Sequence, residues 1–233
     1  MNSGLAPGGV IVSDEISIRL RRDGLPKLSK SVAGPSGTRM VMGSLVRFSR
    51  LAYLTYFSQP ASDRTIYRSI RKHRVRKILE LGIGTGRRTM RMLEAVVRGT
   101  AADSVCSAVP VSYAGIDLFE MRAPAQPSGL SLKLAHRQLR ATGAKVRLVP
   151  GTPFEALARS ANEIGSCDLI VISADQERES LARAWFYFPR MLHAATQVFL
   201  EERGAASGTA MMRLMPHTEI AHLAAAATTR RAA

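Results

Sequence analysis

Nine consecutive residues, Ile78-Leu79-Glu80-Leu81-Gly82-Ile83-Gly84-Thr85-Gly86, carry the clearest chemical signal in this chain. An apolar run ends in an acid and gives way to glycine at three alternate positions, with a helix-forming segment behind. Glycine lets the backbone turn through positive φ and lets a ligand lie against the main chain with no Cβ between them. A strand that breaks into such a loop and then a helix offers amide N–H groups to a bound molecule. The ligand this geometry suits is nucleotide-like. A dinucleotide fingerprint needs glycines at 82, 84 and 87, but position 87 is Arg. A phosphate loop needs Lys and then Ser or Thr after the last glycine, and Arg87-Arg88 stands there instead.

The elements that must hold this loop can be read from hydrophobic periodicity. Strand signals at Lys77–Leu81, Ser112–Leu118, Val146–Val149, Asp168–Ile172 and Gln197–Leu200 alternate with helix signals. The predicted helices are Arg87–Arg98 with Met90, Leu93 and Val97 inward, Ser131–Thr142 ended by Gly143, Phe154–Ala161, and Glu177–Leu192. Pro189 predicts a kink or restart in the last of these. An apolar helix after residue 45 and a second from Ser62-Asp63 to about His73 precede the first strand. A sixth strand over Thr209–Leu214 and a final helix over His217–Ala227 close the chain. Strands too apolar to have a wet face imply an α/β fold: a Rossmann-like, doubly wound, mostly parallel sheet with helices on both faces.

The chain has 233 residues, 46% of them hydrophobic, and a mean hydropathy near zero. This suits one sizeable globular domain. No apolar run approaches the ~18–20 residues of a membrane span, so no membrane association is expected. The two cysteines, Cys106 and Cys167, make no disulfide framework and fit a cytoplasmic location. Residues 1–45 read as a basic, Gly/Ser/Pro-rich, loosely ordered region with one alternating run, Glu15–Leu20, ahead of an α/β domain over 46–233. The net charge of +15 is high for an enzyme of small molecules and attracts polyanions. Eleven Lys/Arg face two acids between Arg64 and Arg98. The sequence does not interleave those cations with the aromatic platforms that bind single strands, so a nucleic-acid partner is possible but not favoured.

The pattern Glu80-x-Gly82-x-Gly84-x-Gly86 resembles the first motif of class I S-adenosylmethionine-dependent methyltransferases. Three later segments are similar to further motifs of that family. Tyr113–Glu120 looks like the second strand, whose terminal acid, here Asp117 followed by Leu118, binds ribose hydroxyls. Val149–Glu155, with Thr152 and Pro153, looks like the loop that flanks adenine. Asp168–Asp175 looks like the fourth strand, with Ser173 and Asp175 opening toward the methyl donor. Arg183–Leu192 and Val198–Glu202 resemble the O-methyltransferase-like branch.

The resemblance implies S-adenosyl-L-methionine as cofactor and transfer of a methyl group to an oxygen or nitrogen of a small or medium acceptor. It implies cofactor contacts from Glu80, Gly82, Gly84, Thr85, Gly86, Asp117, Leu118, Thr152, Pro153, Ser173 and Asp175. Glu80 and the amides of Gly82–Gly86 would meet the methionine end.

Three departures qualify the resemblance. The Gly99–Pro110 segment lengthens the spacing to Asp117. Ser173 replaces the acid of metal-dependent relatives, so no metal is expected. The usual Gly-Gly turn before the fifth strand is His193-Ala194-Ala195, and the C-terminal hairpin is expected to be cut short. Asp175, Glu201, His193 and His217 are the candidate general bases, and none is assigned. A non-catalytic binding module built on a degenerate methyltransferase fold, and an RNA methyltransferase, remain open as alternatives. Oligomeric state cannot be read from the sequence.

Overall fold

Four runs of β-branched and other apolar residues with no polar alternation have to be covered on both faces, and the architecture follows from that requirement. The computed structural model describes residues 50–100, 110–124, 126, 128–204 and 209–232. Helix α1 (50–56) and helix α2 (Arg64–Lys72) lead into strand β1 (Lys77–Leu81). Then follow α3 (Arg87–Thr100), β2 (Ser112–Asp117), α4 (Leu132–Arg140), β3 (Lys145–Pro150) and α5 (Pro153–Ile164). The second half comprises β4 (Leu169–Ile172), α6 (Arg178–Ala184), β5 (Gln197–Arg203), β6 (Ala210–Met215) and α7 (His217–Ala232).

The six strands form one sheet in the order β3-β2-β1-β4-β5-β6. The first five are parallel, and β6 runs antiparallel to β5. This is the expected mostly parallel, Rossmann-like sheet. Period-two alternation sends β1 residues to opposite faces. Leu79 and Leu81 join Ile170, Ile172 and Val198 under α5, α6 and α7, whereas Ile78 joins Leu169, Val171 and Phe199 under α1, α2 and α3. At the edge, β3 is only partly covered.

Two helices differ from expectation. The segment 177–192 is not one helix: α6 ends at Ala184 and a 3-10 turn continues over Trp185–Met191, with Pro189 inside it. Proline cannot donate to the carbonyl four residues back, so the α pattern cannot pass through it. The tighter helix also places Trp185, Phe188 and Met191, three apart, on one buried face. In α3 the inward stripe is Met92, Leu93 and Val96 rather than Met90, Leu93 and Val97, and Val97 is exposed.

The short closing element proves to be a β5–β6 hairpin followed by α7. Its residues pack onto the sheet through Met215 and Ile220. The expectations for 1–45, including the Glu15–Leu20 strand, and for most of the Gly99–Pro110 segment lie outside the described residues. No helix among the described residues is long and apolar enough to cross a membrane.

Phe188 is fully buried and packs against Trp185 with the rings tilted by 45° and 4.3 Å between centroids. Phe188→Ala should lower stability by about 3–5 kcal/mol in urea denaturation. A loss below about 1 kcal/mol would show that the 3-10 face is not part of the core.

Candidate functional site

The strand order reverses between β1 and β4, and in open α/β sheets a ligand site lies beyond the carboxyl ends of the strands at that point. The glycine loop leaves β1 there. Gly82 has φ 91°, and a Cβ on it would come within 2.4 Å of Gln176 Nε2 and 2.7 Å of Ser173 Cβ. A side chain at 82 would therefore push the β4 loop away from the β1 loop. The Gly82 amide donates to the Ile116 carbonyl at 2.8 Å, and the Gly86 amide to the Ile83 carbonyl at 3.0 Å.

Asp117, at the end of β2, binds this loop directly. Its Oδ2 accepts from the amides of Ile83 at 2.7 Å and Gly84 at 2.9 Å, and its Oδ1 from Phe119 N at 3.0 Å. One guanidinium nitrogen of Arg122 donates to both carboxylate oxygens at 2.6 Å. The other end of Arg122 lies 3.7 Å from Asp175. The expectation that the Gly82–Gly86 amides face the ligand needs correction. Those of Gly82, Ile83, Gly84 and Gly86 are engaged within the protein, because the loop is held from behind by the neighbouring strand and its terminal acid.

A cavity of about 440 Å³ opens in front of these groups, within the usual range of small-molecule sites. Asp117, Leu118, Thr152, Pro153 and Asp175 all line it, so five of the residues predicted from sequence converge. Arg122, Gln126, Gln176 and Glu177 line it too. Gln176 and Glu177 could have been inferred as the residues directly after Asp175, but nothing in the sequence marked Arg122 or Gln126. Thr152 caps α5, its hydroxyl 3.0 Å from Glu155 in a capping box that fixes this wall.

The remaining predicted residues, Glu80, Gly82, Gly84, Thr85, Gly86 and Ser173, are not in the cavity lining. They build its support, apart from Thr85, which is exposed at the tip of the loop. Ser173 donates to the Gly82 carbonyl at 3.0 Å and accepts from Arg88 at 3.0 Å. Arg88 also donates to Asp63 at 2.9 Å and Glu201 at 2.6 Å, so a largely buried guanidinium joins the 3-10 turn Ala61–Asp63, the residue after β4, and β5. Burial alone would lower the Arg88 pKa, but the charges of Asp63, Glu201 and Glu80 outweigh it and hold the pKa above its ordinary value.

Glu80 is fully enclosed on the α3 side of β1. Its Oε2 accepts from Thr89 at 2.6 Å and from the Tyr113 hydroxyl at 2.7 Å, while Oε1 has no hydrogen-bond partner among the described residues. Burial raises its pKa to about 7, against the opposing pull of Arg88 and the two hydroxyl donors. Gly115 makes room for this contact, since a Cβ there would lie 2.8 Å from the Tyr113 hydroxyl. Glu80 is thus a buried buttress behind the loop, not a group facing the cavity.

The candidate bases separate. His193 bonds Asp168 at 3.0 Å and His217 bonds the Thr196 carbonyl at 2.9 Å. Both lie at the amino ends of β4 and β5, across the sheet from the cavity. Glu201 has one oxygen on Arg88 and the other on the Ala174 amide. Asp175 alone of the four lines the cavity. Among the described residues no group of three or more His, Cys, Asp or Glu could hold a metal ion.

No protein-family model matches the chain, and no curated protein matches it. Solved structures similar in fold include an O-methyltransferase from Bacillus cereus in complex with SAH, at 16% identity and a TM-score of 0.45, covering 73% of this chain and 68% of that one. The O-methyltransferase TomG from Streptomyces achromogenes, in complex with SAM, has 13% identity and a TM-score of 0.44, covering 70% of each chain. An O-methyltransferase family protein from Burkholderia thailandensis has 14% identity and a TM-score of 0.45, covering 84% of this chain and 58% of that one. These likenesses are too remote to carry an activity over to this chain.

The Glu80 environment makes a pH prediction. Its folded pKa exceeds the ordinary 4.5, so the folded state holds this proton more tightly than the unfolded one. Its contribution to stability is fully present below pH 4.5 and is lost as pH rises toward 7, on the order of 3 kcal/mol. Glu80→Gln keeps an oxygen for Thr89 and Tyr113 but cannot ionise. Relative to the parent, it should gain stability between pH 5 and pH 8 in urea denaturation. An equal effect at both pH values would refute the assignment.

Proposed function

We propose that this chain is an S-adenosylmethionine-dependent methyltransferase that moves a methyl group to an oxygen or nitrogen of a small or medium acceptor. The observation that carries this reading is the position of Asp117. It closes β2, is bound to the β1 glycine loop, and lines the cavity at the switch point. The cavity also has the right charge. Asp117, Asp175 and Glu177 face a single cation, Arg122, in its lining, although the chain as a whole carries +15. A pyrophosphate would meet carboxylates there, whereas a phosphate-free, sulfonium-bearing molecule would find compensating charge.

The residues present fit that cofactor. Asp117 offers its carboxylate to a ribose hydroxyl through Oδ1, which accepts from only one backbone amide, a charge-assisted pairing. Leu118, Thr152 and Pro153 form an adjoining wall suited to a flat base. Asp175 and Gln176 lie where β4 ends, beside the glycine loop. S-adenosylmethionine, when bound, supplies an electrophilic methyl group on sulfur. The protein's part is then to hold the acceptor in line, exclude water and take up the acceptor's proton. Asp175 is the candidate base, since Glu201 is held by Arg88 and the two histidines lie at the other end of the sheet. The buried free thiol of Cys167 supports a reducing, cytoplasmic setting.

Arg122 refines the reading. Both Asp117 oxygens already accept from it, so a ribose can take up Asp117 only as Arg122 lets go. Calorimetric titration with S-adenosylmethionine and S-adenosylhomocysteine tests this. The wild-type chain should bind both, and Asp117→Asn should bind at least about tenfold more weakly. Arg122→Ala, freed of the competing guanidinium, should bind about tenfold more tightly, the equivalent of one charge-assisted hydrogen bond. Failure of the folded wild-type chain to bind either compound would end the proposal. Weaker binding by Arg122→Ala would instead make Arg122 part of the ligand's own contact set. A radiolabelled-methyl screen over hydroxyl and amine acceptors then asks whether Asp175→Asn lowers turnover by about 10²-fold or more with cofactor affinity unchanged.

A further inference from the structure

We propose that the outer face of α1 and α2, remote in chemistry from the acidic cavity, binds single-stranded nucleic acid through stacking on its aromatic rings and contacts from its arginines and lysine. The sequence separates the two ingredients, since the aromatics precede Pro60 and the cations follow it. The fold brings them together. Tyr53 and Tyr56 of α1, and Phe57 directly after it, are 40%, 50% and 67% exposed, while Leu54 turns inward. Arg71 of α2 donates to the Tyr56 hydroxyl at 3.2 Å and lies 5.5 Å from that ring's centroid. Arg50 lies 5.2 Å from the Tyr53 ring. On α2, Arg68 and Lys72 extend the exposed face beside Arg71, and Ile66, Tyr67 and Ile70 bury the opposite one.

The platform is fixed. Arg64 Nε donates to the Ser58 carbonyl at 2.8 Å, and Arg91 donates to the Gln59 carbonyl, pinning the turn between the helices. Flat rings held beside guanidinium groups are the elements that grip a single strand, because every base has a face to stack and every nucleotide a phosphate to neutralise.

Charge selects the occupant. No acid occurs from Arg64 to Leu79. Asp63, at the start of α2, is engaged by Arg88, and Glu94 by Arg50. Residues 1–49 carry seven Lys/Arg against three acids, so the chain's own N-terminal segment does not complement the face. A membrane-surface helix needs a continuous apolar face, but the leucines here turn inward and the exposed large side chains are three rings, two of them tyrosines.

The test uses the full chain without cofactor, so that its outcome is independent of the methyl-transfer reading. Fluorescence anisotropy with labelled 15-nucleotide single strands of RNA and of DNA, titrated in potassium chloride, should show binding that weakens with salt. At fixed salt, Tyr53→Ala, Tyr56→Ala and Phe57→Ala should each weaken binding about tenfold, and Tyr56→Phe should retain it. The pair Arg68→Gln with Lys72→Gln should reduce the slope of log K against log salt by about 1.4, two phosphate contacts' worth for a single strand. A preference between the two strands would identify the sugar and supports the proposal, as does equal binding.

Three results would overturn it: affinity indifferent to ring truncation in variants that circular dichroism shows to be folded, duplex binding as tight as single-strand binding, or binding to phosphatidylserine vesicles with none to either oligonucleotide.

Discussion

The carboxyl end of this sheet depends on one carboxylate placed where two loops cross. Asp117 ends β2, yet two of its hydrogen bonds go to amides of the loop that leaves β1. Those amides belong to residues in a tight turn that no strand can pair, and an unpaired buried amide costs on the order of 1–3 kcal/mol. The acid satisfies two of them at once. By doing so it sets the height of the loop, the direction of α3 and the floor of the cavity. Ser173 repeats the device from the other side by holding the Gly82 carbonyl, so β1's loop is gripped between β2 and β4, its neighbours in the sheet.

Behind this layer lies a second one made of buried charge. Arg88 meets Asp63, Ser173 and Glu201, and its field reaches Glu80. Buried ions are seldom a net gain in stability, because desolvation offsets attraction. Their value is geometric. A planar guanidinium with fixed donors ties together the end of β4, β5 and the segment before α2. Burial pushes Glu80 toward the neutral form, against the pull of Arg88 and its two hydroxyl donors, so the strand that carries the loop is held with less charge in the core.

The same molecule therefore presents two opposite electrostatic faces. The cavity gathers three carboxylates around one arginine, whereas α2 displays cations with no acid between Arg64 and Leu79. Summed charge conceals this division, since +15 says only that cations are in excess. Where they lie decides which molecules are attracted to which surface.

Much of the fold was legible in the sequence, because it rests on periodicities that the backbone enforces. Runs such as Lys77–Leu81 and Leu169–Ile172 read as doubly covered strands because they are short, apolar and alternate with helical periods, and the alternate glycines after Glu80 mark a turn. Asp117, Thr152, Pro153 and Asp175 were legible as strand-end residues, since a parallel sheet brings all its carboxyl ends to one edge. The path of 177–192 was less so: Pro189 announced a break, but the change to a three-residue period came from packing Trp185, Phe188 and Met191 on the core. What each polar group touches was decided only by tertiary structure. Nothing local tells Glu80 that Tyr113 will fill the space left by Gly115, or Arg122 that it will close on Asp117. Nor does it tell Tyr56 that Arg71, fifteen residues on, will lie against its ring. Secondary structure answers to the chain's own neighbours in sequence, while side-chain partners answer to elements that meet only after the sheet has assembled.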